Sequence, residues 1–366
     1  MWRLTRFPVA IESGHIVADE VFLGWRQALV YRDCVLSDFA SGKEIIKGPV
    51  DGCSLSRDHC AILQQGRCQV VGLYDDSMVE IPVSGIEQVS MLEGERVALR
   101  THAEVVIYDV KARSVAQSWP IRACQISAGF DHLLALTTEG AVYAWGDGSR
   151  GQQGSGELAS SLDLIPVEAL EDVAIAQIAS GGWHSTVLSR RGLVYQWGWN
   201  QHGQVSGPMK GSQRSCRSTR STENHTVIVS PTLREVTCRR VIAVACGSRH
   251  SVSLDECGNV EVWGWNEYGQ CEFNNTSLPH KGTRHVRAVV GSKVLPPTET
   301  GDRDYASTED EKAQQDPMKC ATTSVDRRSI GVISSRRGQR VAAAFWTTAV
   351  QYRDDESTDV HPLPIK

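Results

Sequence analysis

The feature that most constrains this chain is an internal repeat, because self-similarity at fixed internal spacing limits a sequence to repeat architectures. The segment from Gln125 reads QISAGFDHLLALTTEGAVYAWGDGSRGQQG, that from Gln177 reads QIASGGWHSTVLSRRGLVYQWGWNQHGQVS, and that from Ala243 reads AVACGSRHSVSLDECGNVEVWGWNEYGQCE. Four landmarks recur in one order. His132, Gly140, Trp145 and Gly151 become His184, Gly192, Trp197 and Gly203, then His250, Gly258, Trp263 and Gly269. All four move by 52 residues between the first two copies and by 66 to the third. A constant unit with unequal spacers follows, and the well-formed units span 125–154, 177–206 and 243–272.

Each unit reads as paired strands. HSTVLS and HSVSL are short and β-branched, a turn follows at RRG or ECG, and LVYQWGW or NVEVWGW then alternates apolar and polar residues. Gly140, Gly192 and Gly258 stand where a hairpin needs positive φ. Trp145, Trp197 and Trp263 share one strand face, where a large ring packs against a neighbouring sheet.

The pattern small-x-Gly-x-x-His-Ser followed by Gly-x-Val-Tyr-x-Trp-Gly-x-Asn-x-x-Gly-Gln resembles that of the regulator of chromosome condensation family. The resemblance covers about 125–270 and implies an all-β fold, a single seven-bladed β-propeller occupying 1–366. Weaker copies place Arg26, His59, Arg96 and Trp346 at the histidine position, so the early blades are degenerate and seven starts result. The last copy contains only one strand or so, which makes WRLTRF at Trp2–Phe7 the expected donor that closes the ring. Two polar insertions, 207–226 and 295–339, lack hydrophobic periodicity and read as flexible surface loops. Their arginines make them candidate chromatin-facing arms, against the plainer reading of solvated loop.

Composition bounds the function. A net charge of −5 gives no global attraction to nucleic acid or anionic membrane. No apolar run reaches the roughly 18 residues of a membrane helix, and the N-terminus lacks a secretory h-region. The 11 cysteines form no Cys-x-x-Cys pair, so they read as reduced residues of an intracellular protein, with Cys34, Cys68, Cys246 and Cys257 as small core or strand residues. Nucleotide-binding, hydrolase-elbow and zinc-protease motifs are absent from the sequence, so no enzyme, metal or cofactor is expected. His132, His184 and His250 sit in separate units and read as structural groups, each hydrogen-bonding backbone within its own blade. Trp199 and Trp265, in the context WGWN and near His202 or Tyr268, read either as hairpin caps or as an exposed partner-binding spot with Tyr268.

Within the family, GGWHS with WGWN and CGSRHS with WGWNEYGQ are similar to a small stand-alone propeller that partners a Jumonji-type oxygenase. That likeness implies a monomeric, non-enzymatic scaffold of nucleus, chromosome and cytoplasm. It would be an adaptor or substrate of the oxygenase, linked to chromatin or histones, histone-methylation control and chromosome segregation. Iron and 2-oxoglutarate would belong to the partner, and Arg113 in KARSVAQ is the candidate modified arginine. The rival implied by the family is guanine-nucleotide exchange on a small GTPase.

Overall fold

The strands predicted from the repeat are present, and each repeat proves to be part of an antiparallel sheet of four or five strands. The structure, a computed structural model, describes residues 2–4, 15–16, 20–23, 28–75, 77–205, 219–222, 225–234, 240–257, 259–265, 330–332, 340–344 and 347–351. Blade 1 consists of Glu20–Leu23, Ala28–Arg32, Val35–Asp38 and Glu44–Lys47. Blade 2 consists of Gly52–Leu55, His59–Gln64, Arg67–Gly72 and Met78–Glu80, and blade 3 of Ile86–Met91, Arg96–Thr101, Val105–Asp109 and Ser114–Trp119. Blade 4 follows with Ala123–Ala128, His132–Thr137, Val142–Gly146 and Ser161–Pro166. Blade 5 has five strands, Ile175–Ser180, His184–Ser189, Val194–Trp199, His225–Arg234 and Thr219–Thr222. Blade 6 is Val241–Cys246, His250–Asp255, Val260–Gly264 and Ile330–Val332.

The all-β reading holds, and the expected count of seven blades is corrected to six. The seventh start, at Trp346, does not open a unit of its own. The chain after residue 339 supplies two described strands, Arg340–Ala344 and Thr347–Gln351, and their sheet is completed by Trp2–Leu4 and His15–Ile16. Trp2, Arg3 and Leu4 pair with Gln351, Val350 and Ala349, so both ends of the chain share this closing sheet. Arg26 and Trp346 lie outside the described residues.

The degenerate early units nevertheless form complete sheets. What a blade requires is apolar alternation, and Val97, Leu99, Val106 and Tyr108 of blade 3 pack with Ala61, Leu63, Cys68 and Val70 of blade 2 without any repeated tryptophan. The second strands HLLALT, HSTVLS and HSVSLD are buried at every position because blades cover both of their faces. Parts of both insertions are strand as well: Thr219–Thr222 pairs with His225–Arg234, and Ile330–Val332 pairs with blade 6. These corrections share one cause, since strands of four and three residues are too short to display a hydrophobic period.

Adjacent blades are joined at their inner strands by a repeated amide clamp. Gln88 donates to the Ile126 carbonyl at 2.6 Å and accepts from the Ile126 N–H at 2.9 Å. Gln125 makes the same pair with Ile178 (3.1 and 3.0 Å), and Gln177 with Val244 (3.2 and 3.0 Å). A second rung runs beside it: Ser54 Oγ accepts from Met91 N–H, Ser90 from Ala128, and Ser127 from Ser180, at 2.9, 3.0 and 2.9 Å. Thus a side chain takes the place of the missing strand neighbour, satisfying backbone groups that would otherwise be buried and unpaired.

Two outcomes follow. Gln177→Leu leaves the Val244 N–H and C=O without partners, which costs on the order of 1–3 kcal/mol per orphaned group; thermal unfolding should show a clear drop in Tm, whereas exposed Gln201→Leu should leave Tm unchanged. Deleting residues 1–10 removes the Trp2–Leu4 pairing and should lower Tm markedly; an unchanged melt would show that the terminal sheet adds no stability.

Candidate protein-binding face

The residues that the repeat holds constant build a joint between blades. His132 Nε2 lies 3.1 Å from Ser185 Oγ of the next blade, and His184 Nε2 lies 2.9 Å from Ser251 Oγ. Each serine donates its own proton to a loop carbonyl, Ser185 to Gln152 O and Ser251 to Gln204 O, both at 2.8 Å. The imidazoles are therefore the donors through Nε2–H. This corrects the expectation that each histidine bonds backbone of its own blade. Trp197 Nε1 donates to the Gln152 carbonyl at 2.8 Å and Trp263 Nε1 to that of Gln204 at 2.9 Å, so one carbonyl serves both serine and tryptophan. Trp197 packs among Leu134, Leu136, Val142 and Ala144 of blade 4, as the shared strand face predicted. Trp145 faces blade 3, which has no matching Gly-Gln loop, and its Nε1 donates instead to Leu162 O at 3.2 Å.

The glycines are explained by the same joint. Gly198 has φ +103, and a Cβ there would come within 2.6 Å of the Trp183 carbonyl. Gly140 and Gly192 have positive φ, +99 and +83, as predicted, while Gly258 lies outside the described residues. Where blade 3 carries Arg96 in place of histidine, its guanidinium reaches Asp131 of blade 4 at 3.1 Å, so an interblade contact is kept by different chemistry.

Between these constant residues, three positions per blade vary, and they converge on one side of the propeller. The residue before the histidine is Asp131, Trp183 or Arg249. The residue after Trp-Gly is Asp147, Trp199 or Trp265, and three further on stand Arg150, His202 or Tyr268. In blades 5 and 6 they assemble an aromatic and arginine cluster. Trp183 meets Phe130 edge-on at 4.8 Å and Trp199 at 5.3 Å. His202 lies edge-on to Trp199 at 5.3 Å and tilted to Trp265 at 5.9 Å. The Arg150 guanidinium stands 4.6 Å from the Trp183 ring centre and 5.2 Å from that of Trp199. That of Arg249 is 5.8, 5.3 and 5.3 Å from Trp183, Trp199 and Trp265.

Burial separates the two roles proposed for the WGWN tryptophans. Trp199 is 4% exposed and packs on Val227 and Val229, so it caps the hairpin from inside. Trp183, Trp265, His202, Arg150 and Arg249 are half-buried and form the accessible rim. Trp183 and Arg150 were missed by the sequence reading; their signal was variability at positions bracketed by constant ones. Tyr268 lies outside the described residues. Arg113 is exposed in a turn of blade 3, with φ +52, away from this cluster in sequence and blade.

Beside the cluster opens an axial cavity of about 170 Å³, lined by inner-strand residues that include Ser54, Ser90, Ser127, Ser180 and Cys246. Its rim is tied by backbone bonds from blade to blade, Glu93 N–H to Phe130 O (2.9 Å), Phe130 N–H to Gly182 O (3.2 Å) and Gly182 N–H to Ser248 O (3.1 Å). Cys68 and Cys246 are buried, and burial pushes both thiols up to about 12, which leaves them protonated core residues. Cys34 is exposed and Cys257 half-buried, and both stand in turns, which corrects their reading as core or strand residues. Among the described residues no cluster of His, Cys, Asp and Glu is arranged to hold a metal ion, and no helix is long and apolar enough to cross a membrane.

Burial lowers His132 to about 4 and His184 to about 3, from an ordinary value of 6.5. The unfolded chain takes up protons near 6.5 and the folded one does not, so both rings favour folding above that pH. Their contribution is lost as pH falls through 6.5 towards 4, at about 1.4 kcal/mol per pH unit per ring. Tm should therefore drop between pH 7 and pH 5. His184→Gln should melt lower at pH 7 but decline less steeply, whereas parallel slopes would show that His184 does not carry the effect.

Models of the regulator of chromosome condensation (RCC1) repeat match residues 123–152, 175–204 and 241–270, and a second model of the same repeat matches 139–188. RCC1 domain-containing protein 1 of Mus musculus is 33% identical over 181 residues, covering 43% of this chain and 48% of that protein. The Homo sapiens protein of that name is 31% identical with the same coverage. Ultraviolet-B receptor UVR8 of Arabidopsis thaliana is 31% identical over 192 residues, 48% of this chain and 40% of the receptor. The matched region thus spans about half the length of these curated relatives or less. In fold, the chain is similar to Prp20p of Saccharomyces cerevisiae, with a TM-score of 0.66 at 14% identity, covering 97% of this chain and 92% of that one. With the repeat matched by sequence and its joints visible in three dimensions, this chain carries RCC1 repeats over residues 123–204 and 241–270.

Proposed function

We propose that the chain is a non-enzymatic, protein-binding propeller that captures its partner on the face built by Trp183, Trp265, Arg150 and Arg249. The observation that carries this reading is the half-exposed rim of tryptophan and arginine around buried Trp199. Tryptophan and arginine are the side chains that contribute most at protein interfaces, and here their rotamers are held in advance by stacking. Relatives of this fold support protein binding in general: Prp20p has been studied for binding to Gsp1p and histones, and yeast RCC1 has been solved with Kap60.

The finer reading rests on the resemblance to the stand-alone propeller member of the family. In it the chain is a chromatin-associated adaptor or substrate of a Jumonji-type oxygenase, acting in histone-methylation control and chromosome segregation. The partner supplies the iron and 2-oxoglutarate. Arg113, exposed in a tight turn, is the side chain that such an oxygenase would reach. The second reading, nucleotide exchange on a small GTPase, is favoured by the fold-level likeness to Prp20p.

Affinity purification of the tagged full chain, read by mass spectrometry with and without nuclease, tests both. A Jumonji-type oxygenase recovered under both conditions is the expected result; a small GTPase preferred in its nucleotide-free form would replace it with the exchange reading. Trp265→Ala should lose most of the captured partner with an unchanged melt, while Trp199→Ala, which empties a buried site, should destabilise by about 3–5 kcal/mol. Equal capture by Trp265→Ala and wild type would remove this face from the account.

A further inference from the structure

The axial cavity beside this face combines a carboxylate with an unpartnered hydroxyl. The inner strands of all six blades contribute to its wall, and among the residues that line it Glu93 of blade 3 is the only one that carries a charge. Leu23, Leu55, Met91 and Leu92 supply apolar surface, and serines supply most of the rest of the polar part. At about 170 Å³ the cavity far exceeds the roughly 10–15 Å³ that one water needs, and falls short of the roughly 300–1,000 Å³ of a drug-sized ligand site. An occupant of side-chain size fits between those limits.

Most hydroxyls of the wall are already engaged. Ser54, Ser90 and Ser127 accept backbone N–H groups of the next blade, Ser180 Oγ donates to the Ser127 carbonyl at 2.8 Å, and Ser56 bonds the backbone of His59. Ser248 differs: it is 2% exposed, and its hydroxyl has no hydrogen-bond partner among the described residues. A buried hydroxyl without a partner is costly, and a ligand donor satisfies it.

Glu93 is fixed at the rim by its own backbone, whose N–H donates to the Phe130 carbonyl at 2.9 Å. Among the described residues its carboxylate takes part in no ion pair. Its charged neighbours are matched elsewhere: Arg57 pairs with Asp58 at 4.0 Å, and Asp131 with Arg96 at 3.1 Å. Burial raises the Glu93 carboxyl above its ordinary value, and Asp58 and Asp131 push the same way against Arg57. Arg150 and Arg249 stand against the rings of blades 5 and 6 and do not enter the lining. What is left is a half-desolvated negative charge short of a cation. A primary ammonium suits it, because its donors sit on a flexible alkyl stem that apolar wall can cover.

We infer that the axial cavity receives a primary alkylammonium group, with Glu93 as its counter-ion and the Ser248 hydroxyl as a further acceptor in the same cavity. The lining reaches Phe130, Gly182 and Ser248, one residue before Asp131, Trp183 and Arg249, so the cavity is continuous with the proposed protein-binding face. A lysine of a docked partner enters from that face, and this source rests on the protein-binding reading above. A free amine of the same chemistry enters without a docked partner.

Saturation-transfer NMR on the full chain at pH 7 tests this with n-butylamine, its neutral counterpart n-butanol, and the peptide amide acetyl-Gly-Ser-Lys-Ser-Gly, whose lysine is its one ammonium. Transfer to butylamine and not to butanol is expected. Glu93→Gln should weaken butylamine binding about tenfold or more, as loss of a charged hydrogen bond does, and Glu93→Asp should retain part of it. Ser248→Ala should weaken it a few-fold. All three variants should melt as wild type, since Glu93 forms no ion pair and the Ser248 hydroxyl no hydrogen bond among the described residues. Butanol binding as well as butylamine would overturn the inference, as would wild-type affinity in Glu93→Gln. Peptide binding alongside butylamine assigns the ammonium to a partner's lysine, and butylamine binding alone assigns it to a free amine. If neither amine binds while Trp265→Ala loses cellular partners, the ammonium site is wrong and the protein-binding face stands.

Discussion

The propeller depends on the pairing of a side-chain amide with the backbone of the next blade. A blade is a sheet whose inner strand faces the axis and has a neighbour on one side only, so its remaining N–H and C=O groups must find partners across the joint. Gln88, Gln125 and Gln177 supply them, donating and accepting at once, and Ser54, Ser90 and Ser127 add a second rung. In blade 6 the position of Gln125 and Gln177 is held by Ala243, and Cys246 donates back to the Ala179 carbonyl of blade 5 at 3.6 Å. The clamp series thus ends where the blades give way to the terminal sheet, which is joined by strand pairing between the two ends of the chain.

The outer layer of each joint repeats the same logic with different groups. Histidine, serine, tryptophan and a loop carbonyl form one hydrogen-bonded unit between blades 4 and 5, and again between blades 5 and 6. Since these constant residues carry the packing, the positions between them are released from structural duty. They vary from Asp to Trp to Arg without disturbing the sheets, and this freedom lets one side of the propeller collect a tryptophan and arginine cluster. Packing and surface exposure are thereby divided between neighbouring residues of the same motif: His184 is buried in the joint and Trp183 is half-exposed beside it.

Much of this was legible in the repeat. The constant 52- and 66-residue offsets identified the units, and the positions of Trp197 and Trp263 announced a packed joint. The histidine partners were not legible, because a residue on the next blade lies 53 or 67 positions away and no local pattern marks it. The glutamines opened two of the repeats in plain view, yet a polar residue at the start of a buried strand has many explanations until its partner is seen. Outer strands such as Thr219–Thr222 and Ile330–Val332 escaped notice because four or three residues are too few to show the alternation that reveals longer inner strands.

The amino-acid sequence by itself determined the repeat family, the all-β character and the residues on which each unit is built, because these follow from periodicity and spacing along the chain. Tertiary structure alone decided the number of packed blades, the direction of the histidine bonds and the division between buried Trp199 and the accessible rim of Trp183 and Trp265. Each of those depends on which surfaces meet when blades are placed side by side, and contact across a joint is a property of the closed arrangement and not of any single unit.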